Sequence, residues 1–460
     1  MIQIKFCFRK AFPCFNFLVT NEKNTKLNCA KVFPRQIHPC FLYGKIDVRV
    51  GLGKHFFRTF VTLKPVFMHP RQLFLQHLAP TSPNPLMLEI DRAEGMYLYD
   101  PAGKPYLDLI AGISVSNLGH RHPRVLTAIQ GQLDRYMHTL VYGEYVLDPQ
   151  VQLARLLAEQ LPAPLESVYF VNSGTEATEG AMKLAKRYTG RAEIIACKRA
   201  YHGSTQGAAS LMWPKDFTQA YHPLLPGIRH IEFNCAWCLE QITENTAAVI
   251  VETVQAEWGV RKPMGNYLQK LRERCTAVDA LLILDEIQVG FGRTGSLFAF
   301  EQYGIVPDVL LLAKAMGGGM PMGAFIASRE IMKVLSENPI LGHITTFGGH
   351  PVCCAAALAN LQTLLDTPYI AEVKAKEALF HRLLQHPKIL EIRSAGLLMA
   401  VDLGSFDSVM KVIHYCLEQG LISDWFLFNT ESMRIAPPLI ISEQEIEWAC
   451  GVILAGLDAL

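Results

Sequence analysis

A chain of 460 residues, half apolar and 18% charged with a net charge of +1, is long enough for two or three packed units and a large core. Near-zero net charge argues against a nucleic-acid or membrane-surface partner, and no apolar run is long enough to cross a bilayer. The expected class is a soluble, cytoplasmic globular protein.

The charge is unevenly spread. Residues 1–67 carry twelve Lys or Arg against only Glu22 and Asp47, with four cysteines and no serine. This stretch is basic like a transit peptide but lacks the serine such peptides carry, and it has no signal-peptide core. We expect residues 1–67 to be a non-native upstream extension, with Met68 as the working start, or else a disordered tail. The expected organisation from there is an N-terminal segment over 68–125, a large domain over 126–366 and a small C-terminal domain over 367–460.

From Met68 the text turns to a helical start, "MHPRQLFLQHLAP", then a Pro-rich loop. Segment 87–110 alternates as short strands around Pro101-Ala102-Gly103, a turn composition. Residues 122–138 and 149–160 have helical period. A strand over 168–172 leads through Ser173-Gly174 into a helix whose stripe is Ala177, Ala181, Leu184, Ala185 and Tyr188. Further strands are expected over 193–198, 247–253, 281–285 and 309–313. Short, unbroken apolar runs separated by helical text mark a mainly parallel sheet covered on both faces. From about Thr367 the pattern becomes helix, strand, helix, strand, helix, a smaller α+β unit. Twelve cysteines without a secretory signal read as reduced thiols. Cys235 and Cys238 form a lone C-x-x-C with no second ligand pair, so two ordinary thiols are expected and no metal.

Three strand ends carry the chemistry, since ligands of open α/β sheets sit beyond the carboxyl ends of the strands. Ser173-Gly174-Thr175 opens a helix and offers free N–H groups and hydroxyls to a phosphate, although plain helix capping would use the same residues. Asp285 ends a buried apolar strand and must be paired there. Lys314 ends another, which is unusual for a lysine without a partner or a chemical duty. Pyridoxal phosphate needs all three: a phosphate cradle, an acid for its ring nitrogen and an amine for a Schiff base. A desolvated lysine is nucleophilic near neutrality.

The stretches "NSGTEATEGAMKLAKRYTGR", "YHGSTQGAAS", "LLILDEIQVGFGRTG", "LLLAKAMGGGMPMGA" and "TTFGGHPVCCAAALANL" resemble, in order, the motifs of class III pyridoxal-phosphate aminotransferases of fold type I. The resemblance runs from about Glu89 to the end, and is strongest to the acetylornithine/ornithine aminotransferase group. It implies that Ser173, Gly174 and Thr175 bind the cofactor phosphate, Tyr201 stacks on the ring, Asp285 holds the ring nitrogen, Gln288 the 3-oxygen, and Lys314 forms the Schiff base. Thr346 would reach the phosphate of a neighbouring subunit, which makes a homodimer part of the expectation. His202, Gly290 and Arg293 match the pattern and read as structural.

For substrate, the resemblance puts Ile113 where ornithine enzymes have tyrosine, Glu257 at a switching glutamate, and Arg434 at the arginine it covers. An ordinary ion pair is the plainer alternative. Ser204 stands where these enzymes carry a carboxylate-binding arginine, so either another basic residue takes over or the substrate has no carboxylate there. The implied reaction is ping-pong transfer of an amino group from an ω-amino donor, acetylornithine- or ornithine-like, to a 2-oxo acid such as 2-oxoglutarate. The alternatives are a donor such as 4-aminobutyrate, a diamine or a pyruvate-linked ω-amine, or an aminomutase on the same scaffold.

Overall fold

The computed structural model describes residues 69–460 in full, together with the backbone of strands Ile2–Lys5, Asn16–Val19, Lys45–Leu52 and His55–Thr62, which pair as an antiparallel sheet. The remaining residues before His69, including the expected start at Met68, lie outside the described residues. The chain divides into two units, Met1–Glu89 and Ile90–Leu460. The first contains the helix Pro70–His77, expected from its period; the second holds everything that follows.

A seven-stranded sheet organises the second unit. Its strands are β1 Ser167–Val171, β2 Glu193–Cys197, β3 Ile228–Ile231, β4 Thr246–Glu252, β5 Leu281–Asp285, β6 Val309–Ala313 and β7 Gly323–Ala327, in the order β3-β2-β4-β5-β6-β7-β1. Strands β3, β2, β4, β5 and β6 are parallel, and β7 is antiparallel to both β6 and β1. Every residue of β4, β5, β6 and β7 is buried, as unbroken apolar runs require. Neither β3 nor β7 was expected. The run Gly323–Ala327 follows the glycine-rich turn so closely that nothing in its text separates it from that loop.

Helix α1, Gly174–Thr189, packs on this sheet through Ala177, Ala181, Leu184 and Ala185, all fully buried. Burying Leu184 alone contributes roughly 1.5–3 kcal/mol. Tyr188, expected in the same stripe, is instead 37% exposed at the last turn. The helix lies close to β7 because of Gly180, where a Cβ would fall 2.4 Å from the Phe325 ring. Ser173 caps its start by accepting from Glu176 N at 3.3 Å, and Gly190 ends it in the left-handed region.

A smaller four-stranded antiparallel sheet lies in the C-terminal region: β8 Glu391–Ser394, β9 Met399–Asp402, β10 Asp424–Phe426 and β11 Asn429–Ile435, in the order β8-β9-β11-β10. Helices Tyr369–Leu383, Phe406–Gln419 and Glu443–Asp458 accompany it. Each strand expected there is a pair. Strands Arg92–Glu94, Tyr97–Tyr99 and Pro105–Asp108 form the expected short-strand element, and Pro105–Asp108 pairs in parallel with Leu421–Ile422, so the early segment is bound into the C-terminal region.

Cys235 and Cys238 are joined by a disulfide, correcting the expectation of two thiols. The turn that carries them sets their Cα atoms 5.3 Å apart, within bridging reach. No other described cysteine is bonded, and the six free ones are buried.

Candidate active site

The carboxyl ends of β4, β5 and β6 deliver Glu252, Asp285 and Lys314 to one cavity of about 760 Å³. Ser173, Gly174 and Thr175 line it from the start of α1, and Tyr201, His202, Gly203 and Ser204 from the loop after β2. A second cavity, of about 720 Å³, is lined by Ile113, Ser204, Glu257, Asp424 and Arg434, and it shares Tyr201, Ser204 and Lys314 with the first. Lys314 therefore stands where the two cavities meet.

Lys314 sits at φ 48, a left-handed conformation in which a non-glycine residue costs about 1–3 kcal/mol. The turn it begins, Lys314–Gly317, is held by Asn360 Nδ2 donating to Ala315 O at 2.8 Å. Lys314 Nζ donates to Gln288 Oε1 at 3.0 Å. Burial lowers its pKa, and Arg434 adds to that, while Glu257, Asp285 and Glu252 pull the other way without overcoming it. The amine is thus closer to its neutral, nucleophilic form than an exposed lysine.

Asp285 is paired, as its position demanded. Its Oδ2 shares a 2.7 Å hydrogen bond with His202 Nδ1, and its Oδ1 accepts from Ile287 N at 2.9 Å. Both side chains are buried. Glu252 accepts from Tyr201 N at 3.0 Å and Ala256 N at 2.8 Å, and burial pushes it up to about 7. His202, read from the sequence as structural, and Glu252, which the sequence did not single out, both line the first cavity. His202 was visible as part of Tyr-His-Gly, and Glu252 only as the last residue of a strand.

At the second cavity Glu257 and Arg434 form a two-pronged pair, Nη1 to Oε1 at 2.9 Å and Nη2 to Oε2 at 3.0 Å, both side chains buried. Leu427 N donates to Glu257 at 2.9 Å, and Trp425 O accepts from Arg434 at 2.8 Å. Burial works against both ions, yet their mutual attraction prevails: the Glu257 pKa is lowered and that of Arg434 raised. Asp424 was not expected here. Burial pushes it up to about 6 although Arg434 Nε is 3.0 Å away. Ser204 Oγ and Tyr201 OH are 2.9 Å apart, and besides Lys314 and Arg434 no basic residue of the second cavity's lining stands in for the arginine.

The remaining candidates fall elsewhere. Thr346 is exposed and lines neither cavity of its own chain. Arg293 is wholly buried and donates to Leu397 O at 2.9 Å and Asn117 Oδ1 at 2.5 Å, a bracing role. Among the described residues no cluster of His, Cys, Asp and Glu could hold a metal, and no helix is long and apolar enough to cross a membrane.

The first cavity suits pyridoxal phosphate. His202 Nε2 and Gln288 Nε2 are buried polar atoms without a protein partner, so the lining keeps donors or acceptors in reserve. Gly203, at φ 125, has Thr175 so near that a Cβ would fall 2.3 Å from its Oγ1, and the bare backbone keeps the cradle open.

The model of the family described as "Aminotransferase class-III" matches residues 78–457. The chain belongs to the class III aminotransferases, enzymes that depend on pyridoxal phosphate, and its architecture is that of the fold type I transaminases. It is 41% identical over 373 residues to an acetylornithine aminotransferase of Methanopyrus kandleri, covering 80% of this chain and 93% of the relative. It is 40% identical to a putrescine aminotransferase of Pectobacterium atrosepticum, covering 76% and 77% respectively. Among solved structures, the ornithine aminotransferase from Toxoplasma gondii ME49 superposes with a TM-score of 0.79 at 31% identity, covering 85% of this chain and 96% of that one.

Proposed function

We propose that the protein transfers an amino group from an ω-amino donor, an acetylornithine/ornithine-like amino acid or a diamine, to a 2-oxo acid, 2-oxoglutarate foremost, in two ping-pong half-reactions. The observation that carries this reading is the place of Lys314: a buried, pKa-lowered amine at the junction of a cavity with the Asp285–His202 pair and a cavity with the Glu257–Arg434 pair.

Pyridoxal phosphate, when bound, supplies an aldehyde carbon for amine exchange and a ring that accepts the electron pair left when a substrate carbon loses its proton. Gly174 and Thr175 would hold its phosphate with Ser173 beside them, Tyr201 would lie against its ring, Gln288 would face its 3-oxygen, and Asp285 would keep its ring nitrogen protonated. Lys314 would hold the cofactor covalently between turnovers. Once free of that bond, Lys314 Nζ would be the base that takes the proton from the donor carbon and holds it as an ammonium, as a neutral amine can. Glu257 covers Arg434 while the donor reacts, and Arg434 binds the α-carboxylate of the 2-oxo acid when Glu257 turns away.

A homodimer belongs to the same reading. Val146 is 92% exposed, and Phe347, its ring tilted against His138 with centroids 4.9 Å apart, is 54% exposed, so the face beside Thr346 presents apolar surface that a second copy would cover. Thr346 would reach the other subunit's phosphate from there.

Stopped-flow mixing of the holoenzyme with ω-amines, and then with 2-oxoglutarate or pyruvate, tests the proposal. The amine alone should discharge the cofactor's absorbance once per site, and 2-oxoglutarate should restore it. Lys314→Ala should fold, yet show no borohydride-fixable bond to the cofactor. Turnover without any oxo acid, or a fixable bond in that variant, would overturn the reading.

A further inference from the structure

Asp424 faces Arg434 directly across the β10–β11 pair, and its Oδ1 lies 3.0 Å from Arg434 Nε. The geometry is an ion pair without an aligned hydrogen bond, and Oδ1 is left without a hydrogen-bond partner. Since Glu257 occupies both terminal nitrogens, Arg434 is met by two carboxylates. The other charged residue in the lining is Lys314, which is committed to the cofactor. With the donor side at rest, Glu257, Asp424 and Arg434 together leave one negative charge and no uncovered guanidinium.

The rest of the wall is chemically consistent with that balance. Ser204 shares a hydrogen bond with Tyr201 and brings no charge. Phe217, Tyr221 and Trp425 offer aromatic faces, and Met212 and Leu427 offer apolar length. A donor carboxylate entering here would meet two carboxylates, a like-charge repulsion that discriminates against it. A second ammonium would meet a carboxylate and ring faces that attract cations. The Asp424 side chain, 20% exposed, remains accessible from the cavity it lines.

We propose that Asp424 is a specificity-determining residue for the amino donor, its carboxylate receiving the distal ammonium of an unbranched diamine. This inference rests on the aminotransferase reading above and narrows its donor to dicationic amines over acylated amino acids. Asp424 also engages Arg434 only through Nε. When Glu257 turns away, the two terminal nitrogens are left free for the acceptor's carboxylate, so one cavity can serve a cationic donor and an anionic acceptor.

The test compares three donors with the holoenzyme in the first half-reaction: 1,4-diaminobutane, 1-aminopentane, in which a methyl replaces the distal ammonium, and N-acetylornithine. Rate constants and apparent dissociation constants come from the cofactor's absorbance. The wild type should favour 1,4-diaminobutane over both others. Asp424→Asn should cut the diamine-to-aminopentane ratio about tenfold or more, chiefly in the dissociation constant, as expected for a lost charged hydrogen bond. Asp424→Glu should recover much of the ratio, and Asp424→Lys should turn the preference toward N-acetylornithine. Equal proportional losses for all three amines would reduce Asp424 to a structural partner of Arg434 and overturn the proposal. So would a wild-type preference for N-acetylornithine, which can be read even if a variant fails to hold the cofactor. Failure of every amine to discharge the cofactor would instead bring down the aminotransferase reading itself.

Discussion

His202 Nδ1 and Asp285 Oδ2 are 2.7 Å apart with both side chains buried, so the carboxylate that ends β5 is held by an imidazole arriving from the loop after β2. A carboxylate so placed cannot turn away from the cavity. We expect His202→Ala to weaken cofactor binding by about 10- to 100-fold, the loss of one hydrogen bond to a charged group, about 1.5–3 kcal/mol. Asn, whose amide can donate near the position of Nδ1, should restore part of it. Absorbance titration with pyridoxal phosphate measures both, and equal affinity in the alanine variant would deny His202 this positioning role.

Glu252 makes stability fall with pH. Its folded pKa is raised to about 7, above the ordinary 4.5, so between those values the folded chain holds a proton that the unfolded chain has lost. Stability therefore declines as pH rises from about 4.5 to 7 and levels off above. The whole span is worth about 3 kcal/mol. In cofactor-free protein, denaturant unfolding at pH 5 and pH 8 should show wild type losing ground relative to Glu252→Gln by an amount of that order. A constant difference between the two proteins across that range would contradict the assignment.

Glu257 and Arg434 should give variants of opposite effect. Glu257→Ala leaves Arg434 uncovered and should favour glutamate over the ω-amine donor. Arg434→Ala should impair the 2-oxoglutarate half-reaction more than the donor one, by about 2–5 kcal/mol for a buried charged partner. Stopped-flow rates of the separate half-reactions decide it. Equal losses in both would leave only a structural ion pair.

Self-association should depend on the face beside Thr346. Ile344 is 48% exposed there, and Ile344→Glu should shift sedimentation toward the monomer and weaken cofactor retention together. Thr346→Ala should leave the dimer intact and lower cofactor affinity alone. Normal cofactor binding by a monomeric Ile344→Glu would rule out a shared site.

The chain from Met68 onward should carry the whole activity. The family match begins at residue 78 and runs to residue 457. We expect protein beginning at Met68 to hold the cofactor and turn over at least as well as the full chain. Loss of activity with folding intact would give residues 1–67 a role.

Sequence alone pointed to the pyridoxal-phosphate chemistry that membership of the class III family implies, because three residue types at three strand ends have few other reasons to occur together. Ser173-Gly174-Thr175, Asp285 and Lys314 were each legible as the residue that follows an apolar run, and so were the parallel strands that carry them. What it did not determine lies in relations across strands and loops. The β10–β11 register puts Asp424 opposite Arg434, and no spacing announces it, since a slip of one residue would turn every side chain to the other face. His202 becomes a partner of Asp285 only through the packing of a loop 83 residues away in the chain. Strand β7 escaped because an antiparallel neighbour needs only a short apolar run beside a turn, whereas burial on both faces shows only after the sheet is assembled. Strand ends are local events that residue types can mark; electrostatic balance in a cavity sums charges from distant segments, and only the folded chain brings those together.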